Sequence, residues 1–154
     1  MKVTDAMTRD IVKVDEGTSV AEASMNMRKK DRGCAIILRQ GKPIGIVTER
    51  DVTWKVAANG LDPKNVKVAE IMSTPLITID PDKDLVEAAK IMNQHKIRRL
   101  PVVRGEVLHG VLTASGIARH LEGYVDKEVR DILKYIWIPR YYPETGPPEM
   151  GLPP

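Results

Sequence analysis

Apolar positions along this chain fall into short runs separated by polar, turn-forming residues, and the spacing changes in a regular order. Runs at 11–14, 35–38 and 44–47 are too short for helices and are bounded by turn residues, which predicts strands. Between the first two, Val20, Ala23 and Met27 recur at helical spacing, and Ser19 with Glu22 three residues later forms a capping box. A helix over 19–29 is expected. Gln40-Gly41 joins the second and third runs as a hairpin. Thr48-Glu49-Arg50-Asp51 then opens a second helix that continues to about Ala58, with Asn59-Gly60 as its stop. The order is β-α-β-β-α.

The same order returns 65 residues later, and residues 5–52 lie over 70–117 without a gap. Met7 meets Met72, Asp15 meets Asp80, Glu22-Ala23 meets Glu87-Ala88, Met27 meets Met92, Gly45 meets Gly110 and Thr48 meets Thr113. The second copy is expected to place a strand at 76–79, a helix from Asp84 with Glu87 in the capping position, strands near 100–103 and 107–112, and a helix from Thr113. Two copies are too few for a solenoid. The expected class is α+β, two β-α-β-β-α repeats packed as a pseudo-twofold pair, with a binding cleft between them. The organisation reads as repeat one over 1–60, a linker at 61–65, repeat two over 66–121, and a C-terminal helix and tail over 122–154. That helix is expected from Tyr124 to Trp137, with Val125, Val129, Ile132, Leu133 and Ile136 as its apolar stripe. The tail after it holds six of the eleven prolines and cannot be helical.

Composition narrows the chemistry. Of the 154 residues 42% are apolar, enough for a globular core, and each repeat alone, at about 50 residues, would be marginal. With no Phe, that core is built from Val, Ile, Leu, Met and Ala, and the four methionines at 7, 27, 72 and 92 read as core fillers. No apolar run approaches the roughly 20 residues of a membrane span and the N-terminus lacks a secretory signal, so a cytoplasmic protein without membrane contact is expected. The single Cys34 adjoins an apolar run and reads as a buried thiol. The three histidines are scattered, which argues against a metal site. A net charge of +3 permits an anionic partner, but the basic residues lack interleaved aromatics, which argues against nucleic acid. No nucleophile-base pair, paired carboxylates or dinucleotide fingerprint appears, so an enzyme is not expected.

The duplicated order, together with Gly45-Ile46-Val47-Thr48-Glu49-Arg50-Asp51 and Arg98-Arg99-Leu100-Pro101-Val102-Val103, resembles the CBS domain over residues 2 to about 121. The resemblance implies a pair of domains that binds adenine nucleotides (AMP, ADP or ATP) or S-adenosylmethionine in the clefts between them. The family motif is Gly, two apolar residues, Thr or Ser, two variable residues and Asp. A carboxylate accepts from both ribose hydroxyls, while a Thr hydroxyl and free amides at a helix start favour phosphate. The motif is complete in repeat one, as Thr48 to Asp51; repeat two reads Thr113-Ala114-Ser115-Gly116 and lacks the carboxylate.

By that resemblance the ligand residues would be Thr48, Arg50 and Asp51, with Leu76 and Ile77 lining an adenine slot, Arg98 meeting phosphate, and Arg99, Pro101 and Ser115 nearby. One competent site per chain is expected. Read without the resemblance, Thr48 and Asp51 are a helix cap and its dipole partner, and the arginines are solvated charges. The expected function is a stand-alone regulatory module binding an adenine nucleotide, working as a homodimer and signalling to an unknown effector protein. S-adenosylmethionine is the alternative ligand, less suited to Arg50 and Arg98. A ligand-free interaction scaffold is the alternative class. No cofactor beyond the regulatory ligand is expected.

Overall fold

The computed structural model describes residues 1–129 and 132 and divides into two units, residues 1–120 and 121–154. In the first unit, α1 (Val3–Ala6) precedes β1 (Val12–Asp15), α2 (Val20–Lys30), β2 (Cys34–Arg39), β3 (Lys42–Thr48) and α3 (Glu49–Asp51), which runs on as a π-helical segment, Val52–Ala57. Next come α4 (Val68–Ile71), α5 (Leu85–His95), β4 (Arg99–Arg104), β5 (Val107–Thr113) and α6 (Ala114–Leu121). In repeat one β1 pairs parallel with β2, and β2 antiparallel with β3. Gln40 and Gly41 turn that hairpin with φ of 50° and 79°, the left-handed region a two-residue hairpin turn requires. In repeat two β4 and β5 pair antiparallel.

The helix starts follow local chemistry. The Ser19 hydroxyl accepts from the Glu22 N–H at 3.1 Å and the Asp84 carboxylate from the Val86 N–H at 2.7 Å. Glu87, expected in a capping position, instead faces Lys83 at 3.3 Å. Asp15 and Asp80 each accept a backbone N–H two residues on, from Gly17 and Asp82. Both close local turns after the first-strand positions of their repeats.

The strand expected at 76–79 does not form. Only Ile79 pairs with repeat two's sheet, donating to the Pro101 C=O at 3.0 Å and accepting from the Val103 N–H at 2.9 Å. Pro101 stands where repeat one has Ile36, and without an N–H it cannot make the next rung. The pairing shrinks from the four residue pairs of β1–β2 to one bridge.

Each repeat lends its leading segment to the other. Val3 is fully buried in a cluster with Leu85, Ala88, Met92, Leu100, Val102 and Leu112 of repeat two, while Val68 and Ile71 pack with Val12, Val20, Ala23, Met27 and Ile37 of repeat one. Hydrogen bonds in matched pairs tie the exchange. Thr8 and Val111 exchange bonds of 2.9 Å each, as Ser73 and Ile46 do at 2.9 and 3.2 Å. Val3 N–H donates to the Lys83 C=O at 2.9 Å, and Val68 N–H to the Thr18 C=O at 2.9 Å. Gly45 and Gly110 permit this. A Cβ on Gly110 would lie 2.5 Å from the Thr8 carbonyl oxygen, and one on Gly45 would lie 2.6 Å from Met72 Sδ.

A third cluster joins the sheets: Ile11, Cys34, Ile36 and Val111, with Leu38, Ile46 and Leu108 against them. Ala35 and Ile37 face the helices while Cys34 and Ile36 face the other repeat, so β2 is apolar on both sides. Met27 and Met92 are buried and Met7 and Met72 half-buried, all within or against these clusters. Among the described residues no helix is long and apolar enough to cross a membrane.

In the second unit Glu122–Tyr124 form a 3-10 turn and Asp126 accepts from the Val129 N–H at 3.0 Å. The expected C-terminal helix therefore begins after Asp126 rather than at Tyr124, because this carboxylate caps it. Its continuation, with Leu133, Ile136 and Trp137, and the proline-rich tail lie outside the described residues.

Candidate functional site

β3 ends at Thr48, whose extended backbone (φ −114°, ψ 167°) turns the chain into α3. Two side chains close that corner reciprocally. Thr48 Oγ1 accepts from the Asp51 N–H at 3.3 Å, while Asp51 Oδ2 accepts from the Thr48 N–H at 2.8 Å and the Thr48 hydroxyl at 3.2 Å. The helix-cap reading of these residues is thus physically realised. The other carboxylate oxygen, Oδ1, lies 3.0 Å from Lys55 Nζ, which also donates to the Ile71 C=O at 2.8 Å. The Asp51 side chain keeps 13% exposure.

Arg50 points elsewhere, its guanidinium 3.8 Å above the exposed Trp54 ring. The segment leading to Leu76 runs along β3: Ser73 bridges Ile46, and Thr74 Oγ1 donates to the Ile44 C=O at 3.0 Å. The exchange therefore ties Ile71 to Lys55 beside Asp51, and from there the segment that leads to Leu76 and Ile77 follows β3 away from Thr48. Leu76 and Ile77 are half-buried, Ile77 against the second core cluster.

Arg98 is exposed, and its backbone carbonyl accepts from the Ala114 N–H at 2.9 Å. Arg99 opens β4 opposite Thr113 and crosses into repeat one. Its Nη2 lies 2.5 Å from where a Cβ on Gly33 would sit, and Glu49 Oε2 lies 3.4 Å from the same point. A side chain at 33 would displace that guanidinium from its present position. Pro101 is fully buried in β4. Ser115 Oγ is 3.0 Å from Thr113 Oγ1, which accepts from the Gly116 N–H at 2.8 Å. A Cβ on Gly116 would meet the Ala6 carbonyl oxygen at 3.2 Å, so the second corner is tight as well as lacking a carboxylate.

Lys55 and Glu49 were not singled out by sequence reasoning. Lys55 was legible, since a lysine four residues after an aspartate on one helix is a favourable pair; its bond to Ile71 was not. Burial pushes the Cys34 thiol up, with Glu49 adding and Arg99 opposing, so this cysteine is no thiolate nucleophile. No group of three or more His, Cys, Asp or Glu could hold a metal among the described residues.

The sequence profile of the CBS domain matches residues 3–57 and 68–123, well over half of the chain. Protein MJ1404 of Methanocaldococcus jannaschii is 32% identical over 161 aligned positions, covering 88% of this chain; the chain spans only 38% of that relative's length. A hexameric CBS-CP12 protein from bloom-forming cyanobacteria superposes with a TM-score of 0.73 at 31% identity, covering 88% of this chain and 81% of that one. The CBS domain pair of protein MJ0100, solved with 5-methylthioadenosine and S-adenosyl-L-methionine, superposes with a TM-score of 0.73 at 25% identity, covering 81% and 98%. With a family match over both repeats and a fold shared with solved CBS-domain proteins, the chain belongs to the CBS domain family and carries two such domains in tandem.

Proposed function

We propose that the protein is a regulatory module that binds one adenine nucleotide, AMP, ADP or ATP, at the Asp51 corner and passes the binding energy to a partner protein. The observation that carries this reading is the Asp51 carboxylate, held at a helix start and paired with Lys55, which also bonds the Ile71 carbonyl of the segment repeat two lends. Of the four acceptor positions on the carboxylate, Thr48 fills two on Oδ2 and Lys55 one on Oδ1, which leaves one open to a ribose hydroxyl. The thiol, histidines and remaining carboxylates supply no competing constellation, and the module is read as non-enzymatic.

The bound adenosyl compounds of the MJ0100 pair support the ligand class and favour S-adenosylmethionine as the second reading. Exposed Arg98 and the pairing of Asp51 with Lys55 favour the anionic nucleotides. The exchanged segments offer the transmission route, because a ligand at Asp51 borders a segment rooted in the other repeat. Such a ligand acts only by preferring one conformation. A homodimer is part of the proposal; the hexameric CBS-CP12 relative supports self-association without fixing the number of copies.

The test is a thermal-shift panel of AMP, ADP, ATP, GTP and S-adenosylmethionine on the wild type, Asp51→Ala and Asp51→Asn, each against its own ligand-free melting point. A ligand at 100 times its dissociation constant adds about 2.7 kcal/mol, a rise of several degrees. An adenine ligand that shifts the wild type and neither variant supports the site. No shift in the wild type replaces the reading with a ligand-free interaction scaffold.

A further inference from the structure

Lys55 sits in the wall of the proposed site with a role that neither capping nor the family motif supplies. Its ammonium is held at two points, 3.0 Å from Asp51 Oδ1 and 2.8 Å from the Ile71 carbonyl oxygen, the second belonging to the segment repeat two lends. The charge is therefore held in place by the protein's own groups.

Two further observations mark this arrangement as more than a surface ion pair. The helix carrying Lys55 is π-helical from Val52 to Ala57, with the Asn59 side-chain amide donating to the Lys55 C=O at 3.0 Å; the corresponding α6 of repeat two is a regular α-helix. π-turns are energetically poor and concentrate at functional sites. The repeat itself supplies the other comparison. Sixty-five residues on, Gly116 and His120 stand in place of Asp51 and Lys55, so repeat two lacks both the carboxylate and the lysine.

Electrostatics gives the pair a purpose. Asp51 alone would place a negative charge where an anionic ligand must approach, in a corner only partly reached by water. Lys55 cancels it while leaving the carboxylate able to accept hydrogen bonds. We propose that Lys55 is a specificity-determining residue of this cleft, selecting anionic adenosyl ligands over neutral and cationic ones. This inference rests on the Asp51 site proposed above.

The experiment is calorimetric titration of AMP, adenosine and S-adenosylmethionine into the wild type, Lys55→Met and Lys55→Arg. Lys55→Met should weaken AMP about five- to tenfold, the scale of one charge acting across a partly exposed cleft. Adenosine should stay within about twofold, because it carries no charge. S-adenosylmethionine, with a net positive charge, should bind as well or better. Lys55→Arg should restore AMP, and the AMP deficit of Lys55→Met should shrink as salt is raised. Equal weakening of all three ligands would overturn the inference and leave Lys55 as a residue that merely orients Asp51. Tighter AMP binding by Lys55→Met would also overturn it, by making Lys55 a competitor of the ligand. If the wild type binds none of the three, the proposed function itself fails and this inference with it.

Discussion

The exchange of leading segments rests on two glycines whose environments differ enough to be told apart by alanine substitution. A Cβ at position 110 would lie 2.5 Å from the Thr8 carbonyl oxygen and 3.2 Å from its carbonyl carbon. Ordinary contact begins at 3.4 Å, so the Thr8 backbone must retreat by about 0.9 Å. That retreat breaks the paired 2.9 Å hydrogen bonds between Thr8 and Val111, a loss of about 1 kcal/mol each. It also loosens the segment that buries Val3. Against this, alanine restricts the unfolded chain and returns about 0.4–1 kcal/mol. Gly110→Ala should therefore destabilise by about 1.5–3 kcal/mol.

At position 45 the nearest atom is the Met72 sulfur at 2.6 Å, the end of a flexible side chain, and the Ser73 carbonyl oxygen stands at 3.0 Å. Rotating Met72 relieves most of the clash, and Gly45→Ala should cost only about 0–1 kcal/mol. Gly17→Ala is the control. Its Cβ would meet nothing closer than Asp15 Oδ1 at 3.5 Å, and it should be neutral or stabilising by up to about 1 kcal/mol. Urea unfolding of the three variants at matched concentration measures the order. Gly110→Ala no less stable than Gly45→Ala, or both indistinguishable from Gly17→Ala, would refute the view that close backbone approach at these glycines holds the exchanged segments.

Two further outcomes are expected. Hydrogen bonds from Arg104 hold the Asp80 carboxyl down to about 2, so Asp80 contributes stability above its unfolded value near 3.8 and loses it as pH falls through about 2. In Arg104→Met its NMR titration midpoint should return toward the ordinary carboxylate range, and acid unfolding should begin at higher pH; an unmoved midpoint contradicts this cause. Light scattering should give twice the chain mass for the full chain, and truncation after Gly123 should abolish the dimer if the C-terminal helix builds it; a truncated chain that stays dimeric assigns that helix to an effector instead.

Much of the site was legible because its logic is local. Thr48 and Asp51 are three residues apart at a strand-to-helix turn, and Lys55 follows at helical spacing, so their pairing needs no information from elsewhere in the chain. Arg99 was placed only loosely, because its partner surface, the backbone of Gly33 beside Glu49, comes from the other repeat. Arg50, expected toward phosphate, instead stacks on Trp54, a pairing that their i,i+4 spacing allows.

The sequence by itself determined the duplication, the alternation of strand and helix, the Gln40-Gly41 hairpin turn and the capped helix starts. Each of these is settled by side-chain period or by hydrogen bonds within four residues. Tertiary structure alone decided that residues 1–8 serve repeat two and residues 66–73 serve repeat one, since the apolar pattern of a short segment says that it must be buried but not against which surface. It also decided that the strand expected at 76–79 dwindles to the Ile79 bridge. That outcome depends on the missing N–H of Pro101, more than twenty residues away and adjacent only once the sheet has formed.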